Sequence, residues 1–306
     1  NAFTPKLSLQ YQADPNDMFY TTYARGYRPG GANNPLPYQA CSQDFQNFGI
    51  ANSPTTYNSD TVDSFEVGTK NNFNNRVKIA GSVYYIKWNN IQQVVVPPIC
   101  QISFIDNLGA AVAKGVDLEL DASITDELSL ELAAGYTSAR YTQGSYLSAP
   151  CAPGQPPNGH CEVTPVVADG DAIVGQSSET GAGQPTAPVT VSAGLEYRFN
   201  MLAHETFIRV DSEYQGRAKW AGAGQDPNTL QYDQANYILP GTTFTSMRAG
   251  MQFGPWSLAA FCDNLTNSHA LTDFNWSINP GDGSSRLERA YTFRPRTIGI
   301  TAIFRQ

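Results

Sequence analysis

The sequence predicts an all-β protein whose antiparallel strands run up and down in order and cross a membrane as part of a transmembrane β-barrel. Three observations predict this fold. Side chains alternate between apolar and polar with a period of two, short turns alternate with long loops, and aromatic residues gather near strand ends. Charged residues make up 15% of the 306-residue chain, whereas an average soluble domain has roughly 25%.

The alternation is clearest in three segments. In 189–199 the odd positions are aliphatic or aromatic and the even positions are polar, charged or glycine. In 116–124 and 128–136 the even positions are the apolar ones. Because successive side chains of a strand point to opposite faces, each segment has one apolar face. This pattern predicts eleven strands, at 5–11, 18–28, 61–71, 76–90, 111–124, 128–141, 187–199, 204–219, 241–253, 256–265 and 290–305.

The connections alternate without exception between short turns and long loops. Five long loops are predicted, at 29–60, 91–110, 142–186, 220–240 and 266–289. Outer-membrane barrels have short periplasmic turns and long extracellular loops. A soluble β-sandwich is the alternative, but it needs no long loops gathered at one end, and its strands are usually nearer about five or six residues.

Composition excludes several other classes. The chain has 19 Lys and Arg against 27 Asp and Glu, a net charge of −8, and nucleic-acid binding requires a basic surface. No apolar run reaches the roughly 18 residues of a transmembrane helix. A barrel needs only every second residue to be apolar, so it can span a membrane with a mean hydropathy below zero.

Strand direction predicts that part of the barrel lies outside this sequence. Eleven is an odd number, whereas bacterial single-chain barrels have even strand numbers. With the long loops outside, the first strand runs down toward the periplasm, although a complete barrel would begin with an upward strand. The whole of 1–306 is therefore expected to be the C-terminal part of a barrel, with the N-terminal part absent.

The five cysteines indicate disulfide bonds and thus an oxidising compartment. Cys151 and Cys161 lie in one Pro- and Gly-rich loop and are expected to pair. Cys41 and Cys100 also lie in loop-like sequence and could pair, and scattered free thiols are the alternative. Cys262 lies on the apolar parity of its strand and is expected to be free.

Four groups of residues, in order along nearly the whole chain, resemble the TonB-dependent outer-membrane receptors. They are a strand-to-loop stretch at 23–31, a Glu-x-Gly-x-Lys strand at 64–70 followed by 84–91, Asn107 with 113–119, and the paired segments 263–267 and 295–300. One departure is that family barrels commonly end on an aromatic residue, whereas this chain ends Phe304-Arg305-Gln306.

The resemblance implies a 22-stranded barrel, of which these eleven strands are the second half, filled by an N-terminal plug. It implies energised uptake of a scarce, bulky nutrient such as a siderophore, an oligosaccharide or an aromatic compound. The implied partners are outer-membrane lipid, the plug, a TonB-type energising protein and the small-molecule nutrient, with no nucleic acid. A passive porin-type channel and a secreted carbohydrate-binding or structural β-protein remain the alternatives.

Catalytic motifs such as GxSxG and HExxH are absent from the sequence, and an enzyme is not expected. His160 and His269 could ligate haem iron, and the acidic pairs Asp169/Asp171 and Asp282/Glu288 could bind calcium. All lack the spacing of a dedicated site, and solvated loop side chains are the preferred interpretation. We expect no metal and no cofactor.

Strand parity predicts which side chains face lipid and which face the lumen. The residues expected to face lipid are Leu118, Leu130, Val191, Leu195 and Ile300. Those expected to face the lumen are Glu119, Glu131, Glu196, Arg198 and Arg209.

Ligand selectivity is expected in the long loops 29–60, 142–186 and 266–289, because loops on a rigid scaffold commonly carry binding. The candidate stacking residues are Tyr38, Phe45, Phe48, Tyr57, Tyr146, Phe274 and Trp276. These loops contain few cations, with only Arg286 and Arg289 near the end of the last one. The sequence therefore favours a neutral carbohydrate or aromatic ligand over an anionic one.

Overall fold

The computed structural model describes residues 3–47, 50–95, 100, 102–107, 109–143, 148–150, 160–162, 187–217, 239–278 and 286–305. Eleven antiparallel strands form one sheet in which each strand pairs with the next in sequence, which confirms the all-β, up-and-down architecture. They are β1 Lys6–Asp14, β2 Asp17–Arg28, β3 Asp60–Phe73, β4 Val77–Asn89, β5 Ala110–Ser123, β6 Leu128–Gln143, β7 Val189–Met201, β8 His204–Gln215, β9 Thr242–Phe253, β10 Trp256–Asp263 and β11 Thr297–Phe304.

Cross-strand register divides the side chains as the sequence predicted. Leu130 pairs with Leu195 and Leu118 with Ala134, on one face. Glu196 pairs with Arg209, on the other face. All ten residues of the orientation prediction fall on their expected faces when the pairing is followed from β5 to β11.

The polar face is concave. It contains a groove of about 550 Å³ lined by side chains from β2 to β8, among them Lys70, Ser82 and Glu119. We call this the inner face and the apolar one the outer face. Large apolar side chains on the outer face are exposed rather than packed against a second sheet, for example Val67, Leu118 and Ile300. A lipid-facing barrel wall has this arrangement, and a two-sheet core does not.

The short turns have the backbone conformations of tight hairpins. Asn74 and Asn75 have φ of 52° and 55° between β3 and β4, and Leu202 and Ala203 have φ of 51° and 63° between β7 and β8. Two consecutive left-handed residues match the twist of the flanking strands. Asparagine adopts this region readily, whereas leucine and alanine do so at a cost.

The long loops contain structure that period-two patterns did not predict. A helix spans Tyr38–Asn47, and the described loop strands form small hairpins such as Gln92–Val95 with Phe104–Asn107. No helix in the described part of the chain is long and apolar enough to cross a membrane.

The predicted final strand at 290–305 was wrong in its first part. Residues Arg286–Thr292 pair with Leu271–Ile278 in a separate hairpin, and the sheet strand begins only at Thr297. Pro295 lies between the two segments. It has no N–H for a ladder and disfavours a regular continuation, so the strand is interrupted there.

Candidate functional site: a surface lobe above a polar wall

The upper end of the sheet is joined to the loops by a network around Asp60, which is 1% exposed. Its carboxylate accepts from the Arg28 guanidinium, with Nε at 2.9 Å from Oδ2, and from Trp88 Nε1 at 2.9 Å. The Arg28 guanidinium carbon also lies 5.0 Å from the centre of the Trp88 ring. Because the buried carboxylate has both a cation and an indole donor, its burial is compensated. These contacts hold together the end of β2 and the beginning of β3, on either side of loop 29–59.

Amide side chains then hold loops 29–59 and 90–109 together. Asn107 donates from Nδ2 to the carbonyls of Asn58 and Asn90, at 3.0 and 2.9 Å, and accepts from the Asn58 N–H at 2.6 Å. Asn33 donates to the Ile105 carbonyl at 2.7 Å and accepts from its N–H at 2.9 Å. Asn107, one of the residues that carry the family resemblance, therefore has a structural role in this region.

The same two loops share a small hydrophobic core and a disulfide bond between Cys41 and Cys100. The core contains Leu36, Phe45, Val95 and Phe104, and joins the helix to the 92–107 hairpin. The Asp44 carboxylate accepts from the Cys100 N–H at 2.8 Å. We call the unit formed by loops 29–59 and 90–109 the surface lobe. It is a preorganised platform at the loop end of the barrel.

Three of the predicted stacking residues, Tyr38, Phe45 and Tyr57, lie in the surface lobe and differ in how exposed they are. Tyr38 is 57% exposed at the start of the helix, whereas Phe45 is 1% exposed. Phe45 packs within the lobe core and offers no free ring face, so its predicted role as a surface stacking residue does not fit this structure. Tyr57 is partly buried beside Gly31, where a Cβ would collide with its ring.

The remaining predicted site residues are less fully described. Phe48 and Tyr146 lie outside the described residues. The backbone of Phe274 and of Trp276 belongs to the strand Leu271–Ile278, opposite Ala290 and Glu288. Of the two predicted cysteine pairs, Cys41–Cys100 is bonded, while Cys151 lies outside the described residues and its pairing with Cys161 stays a prediction. Cys262 is free, as predicted.

Below the surface lobe, toward the short-turn end, the inner face has a charged network centred on Arg209. Its guanidinium reaches Glu131 at 2.7 Å and Asp211 at 2.8 Å. Gly194 makes room for it, because a Cβ there would lie 2.7 Å from Arg209 Nη2. Glu196 of β7 lies 3.8 Å from the same guanidinium. The three adjacent strands β6, β7 and β8 are thereby linked through their lumen-facing charges. This network was not predicted, although the glutamate–arginine alternation in 189–199 indicated the polar face that carries it.

Tyrosine rings cover glycines on the same face. A Cβ at Gly68 would lie 2.5 Å from the ring of Tyr20, whose hydroxyl donates to Glu66 at 2.5 Å. Gly115 lies in the same way under Tyr84, which hydrogen bonds to Thr137 at 2.6 Å. At both glycines the absence of a side chain thus makes room for the ring of a neighbouring tyrosine, and Tyr20 also lines the groove.

Groups of three or more His, Cys, Asp or Glu placed to hold a metal ion are absent from the described residues. The polar wall offers hydrogen bonds and charge, and the surface lobe forms a rim whose loops contain no Lys or Arg. Arrangements of this kind suit recognition and passage of a solute.

A family model for the β-barrel of TonB-dependent receptor-like proteins matches residues 1–265. The chain belongs to this TonB-dependent receptor family. The family consists of bacterial outer-membrane transport receptors, so the expected location in the outer membrane is confirmed, and the family is not one of enzymes.

Solved receptors have the same fold at low sequence identity. The ferric yersiniabactin uptake receptor FyuA from Yersinia pestis is 16% identical with a TM-score of 0.61, over 98% of this chain and 37% of that one. The siderophore receptor PiuA from Acinetobacter baumannii is 14% identical with a TM-score of 0.61, over 98% and 35%. The ferripyoverdine receptor of Pseudomonas aeruginosa is 13% identical with a TM-score of 0.58, over 98% and 32%. The chain thus spans about a third of the length of these receptors.

Proposed function

We propose that the whole protein is an outer-membrane receptor for energised, TonB-coupled uptake of a scarce, bulky nutrient. Residues 1–306 would supply the second half of a 22-stranded barrel, and a plug outside this sequence would fill the lumen. The observation that carries the proposal is the family match over residues 1–265. A polar inner wall beneath a rigid surface lobe supports it, because such a wall can line a hydrated or protein-filled lumen.

The surface lobe favours a neutral aromatic or carbohydrate ligand as the substrate class. Residues 29–60 and 91–109 contain no Lys or Arg. Asp60 and Asp44, the buried acids of this region, are engaged by Arg28 and by the Cys100 N–H. An anionic ligand would therefore find no cation on the lobe, whereas exposed Tyr38 offers a ring for stacking.

A ferric siderophore is the second candidate substrate. Three similar solved proteins are named as receptors for ferric siderophores or for siderophores in general. Cations on loops outside this chain could then supply the charge that the lobe lacks.

Uptake by the intact protein in whole cells tests the proposal. Radiolabelled candidate nutrients should accumulate only while the inner membrane is energised and the TonB-type partner is present. Accumulation that continues unchanged after collapse of the proton-motive force would indicate a passive channel and refute energised transport. Within the energised case, Tyr38→Ala should weaken binding of a neutral aromatic or sugar ligand, while Tyr11→Ala, on the outer face, serves as a matched control. Tight binding of an anionic ferric chelate unaffected by Tyr38→Ala would favour the second substrate class.

A further inference from the structure

The surface lobe is almost free of charge and rich in amides. Its two loops, 29–59 and 90–109, contain thirteen Asn and Gln residues but only two charged ones, Asp44 and Asp106. Neither acid is exposed, and each accepts a backbone N–H, from Cys100 and from Asn107 respectively. An ordinary solvated surface mixes both signs of charge, and roughly 25–35% of its residues are charged. The lobe therefore does not have the composition of an ordinary solvated surface.

The helix Tyr38–Asn47 presents a row of these amides on one side. Its buried side consists of Cys41, Asp44 and Phe45. Because an α-helix has about 3.6 residues per turn, positions i, i+4 and i+7 share a side, and here the side opposite the core is formed by Gln39, Gln43 and Gln46. All three side chains are exposed. We call these three residues the glutamine stripe.

Tyr38 supplies an aromatic ring beside the glutamine stripe. The centre of its ring lies 6.2 Å from that of buried Phe45, with 40° between the two planes. The ring is thereby supported by the lobe core, while Tyr38 remains 57% exposed. The same helix is held by the disulfide bond between Cys41 and Cys100. Groups that are fixed in this way lose little conformational freedom when a ligand binds.

These groups match the chemistry of a sugar. A glutamine amide presents donors and an acceptor side by side, as do two neighbouring hydroxyl groups. An aromatic ring can pack on the C–H face of a pyranose and shield that face from water. The stripe is about 10 Å long, at a rise of about 1.5 Å per residue, so it can contact more than one sugar ring. A simple aromatic compound would use the ring of Tyr38 but would leave most of these amides without partners.

We propose that the glutamine stripe and Tyr38 form a binding subsite for a neutral oligosaccharide. The ring stacks on one sugar, and the amides exchange hydrogen bonds with hydroxyl groups of the adjoining sugars. This inference rests on the proposed function, since it names the class of nutrient that the receptor captures. It selects a carbohydrate over an aromatic compound and over the ferric siderophores, whose anionic forms would find no cation on the lobe.

Isothermal titration calorimetry with the intact receptor in mild detergent tests the subsite. The probes are maltohexaose, cellohexaose, xylohexaose and mannohexaose, with a neutral phenolic dimer and a hexagalacturonate as the aromatic and anionic comparisons. At least one neutral hexasaccharide should bind, and it should bind more tightly than either comparison. Tyr38→Ala and Gln39→Ala/Gln46→Ala should each raise the Kd for that sugar about tenfold or more. Tyr38→Phe should change the Kd by less than about threefold, because the ring is kept.

Gln10→Ala/Gln12→Ala is the matched control, since it removes two exposed amides from β1, outside the surface lobe. It should leave the Kd unchanged. The proposal is overturned if none of the neutral hexasaccharides binds, if Gln39→Ala/Gln46→Ala binds as the unmodified receptor does, or if the control loses as much affinity. Should the double variant fail to fold, Gln39→Ala and Gln46→Ala are measured singly, and each should weaken binding while Gln10→Ala does not.

The outcome is separable from that of the uptake experiment, because calorimetry on the purified receptor requires no proton-motive force. Sugar binding that depends on the glutamine stripe, together with uptake that continues after collapse of the proton-motive force, would refute energised transport and retain the subsite. Energised uptake of another nutrient, with no binding of any of the four hexasaccharides, would overturn the subsite and leave the proposed function intact.

Discussion

Replacement of Asn264 by aspartate should destabilise the barrel far more than its small change in shape suggests. Asn264 is 1% exposed at the end of β10. Its side-chain NH₂ donates to the carbonyls of Ser268, at 2.9 Å, and Arg294, at 2.8 Å, and its Oδ1 accepts from the Ser268 N–H at 2.7 Å. The residue closes the turn after β10 and ties it to the segment that leads into β11.

The magnitude follows from the groups left without partners. Asn264→Asp keeps the Oδ1 acceptor, but it removes both donors and directs carboxylate oxygens toward carbonyls. A buried polar group deprived of its partner costs about 1–3 kcal/mol, so the loss should be about 3 kcal/mol or more. Asn264 has φ of 53°. Asn264→Gly keeps this conformation at little cost, whereas Asn264→Ala adds roughly 1–2 kcal/mol of left-handed strain, so alanine should be worse than glycine.

Urea unfolding of the intact receptor in phospholipid vesicles, followed by tryptophan fluorescence and by electrophoretic mobility without heating, measures these differences. Asn267→Asp is the matched control. Asn267 is exposed, has φ of 52°, and uses its Oδ1 to accept from the Arg296 N–H at 3.0 Å, a contact that aspartate keeps. The control should change stability by less than about 0.5 kcal/mol. Equal stability of Asn264→Asp and Asn267→Asp would refute the assigned role of the buried amide.

Three further predictions concern the turn, the surface lobe and the wall. Leu202→Asn combined with Ala203→Gly should stabilise the folded receptor by about 1 kcal/mol or more in the same urea assay, because both residues have positive φ; no gain would contradict the inferred strain. Cys41→Ser with Cys100→Ser should speed amide hydrogen exchange in the helix and in the Phe104–Asn107 strand, while exchange in β3 to β6 stays unchanged. Cys262→Ser, at the free thiol, should change exchange in none of these elements. Leu118→Arg on the outer face should cost roughly 2–4 kcal/mol, and Glu119→Gln on the inner face less; similar costs would argue against lipid on the outer face.

Local sequence determined the strands and their faces. The alternation in 189–199 sets which side chains of β7 share a face whatever its neighbours are, because a strand has a fixed period of two. The short turns determined which strands form hairpins, since a connection of two to four residues forces adjacent antiparallel pairing. Sequence resemblance placed the chain in its family, and the family match agrees with it.

Only the tertiary structure decided how the loops and the wall are organised. The helix Tyr38–Asn47 is stabilised by contacts with a hairpin about sixty positions away, and no local period identifies such partners. For the same reason Phe45 resembled a surface aromatic in the sequence but is buried in the lobe core. The sequence offered Cys41–Cys100 as a possible pair, with free thiols as the alternative, and only the placement of the two loops side by side decided between them. The Arg209 network depends on register between strands. The alternation within one strand determines which face a charged side chain occupies. Which charges lie beside it on neighbouring strands depends on the pairing register, and this is set by the sheet as a whole.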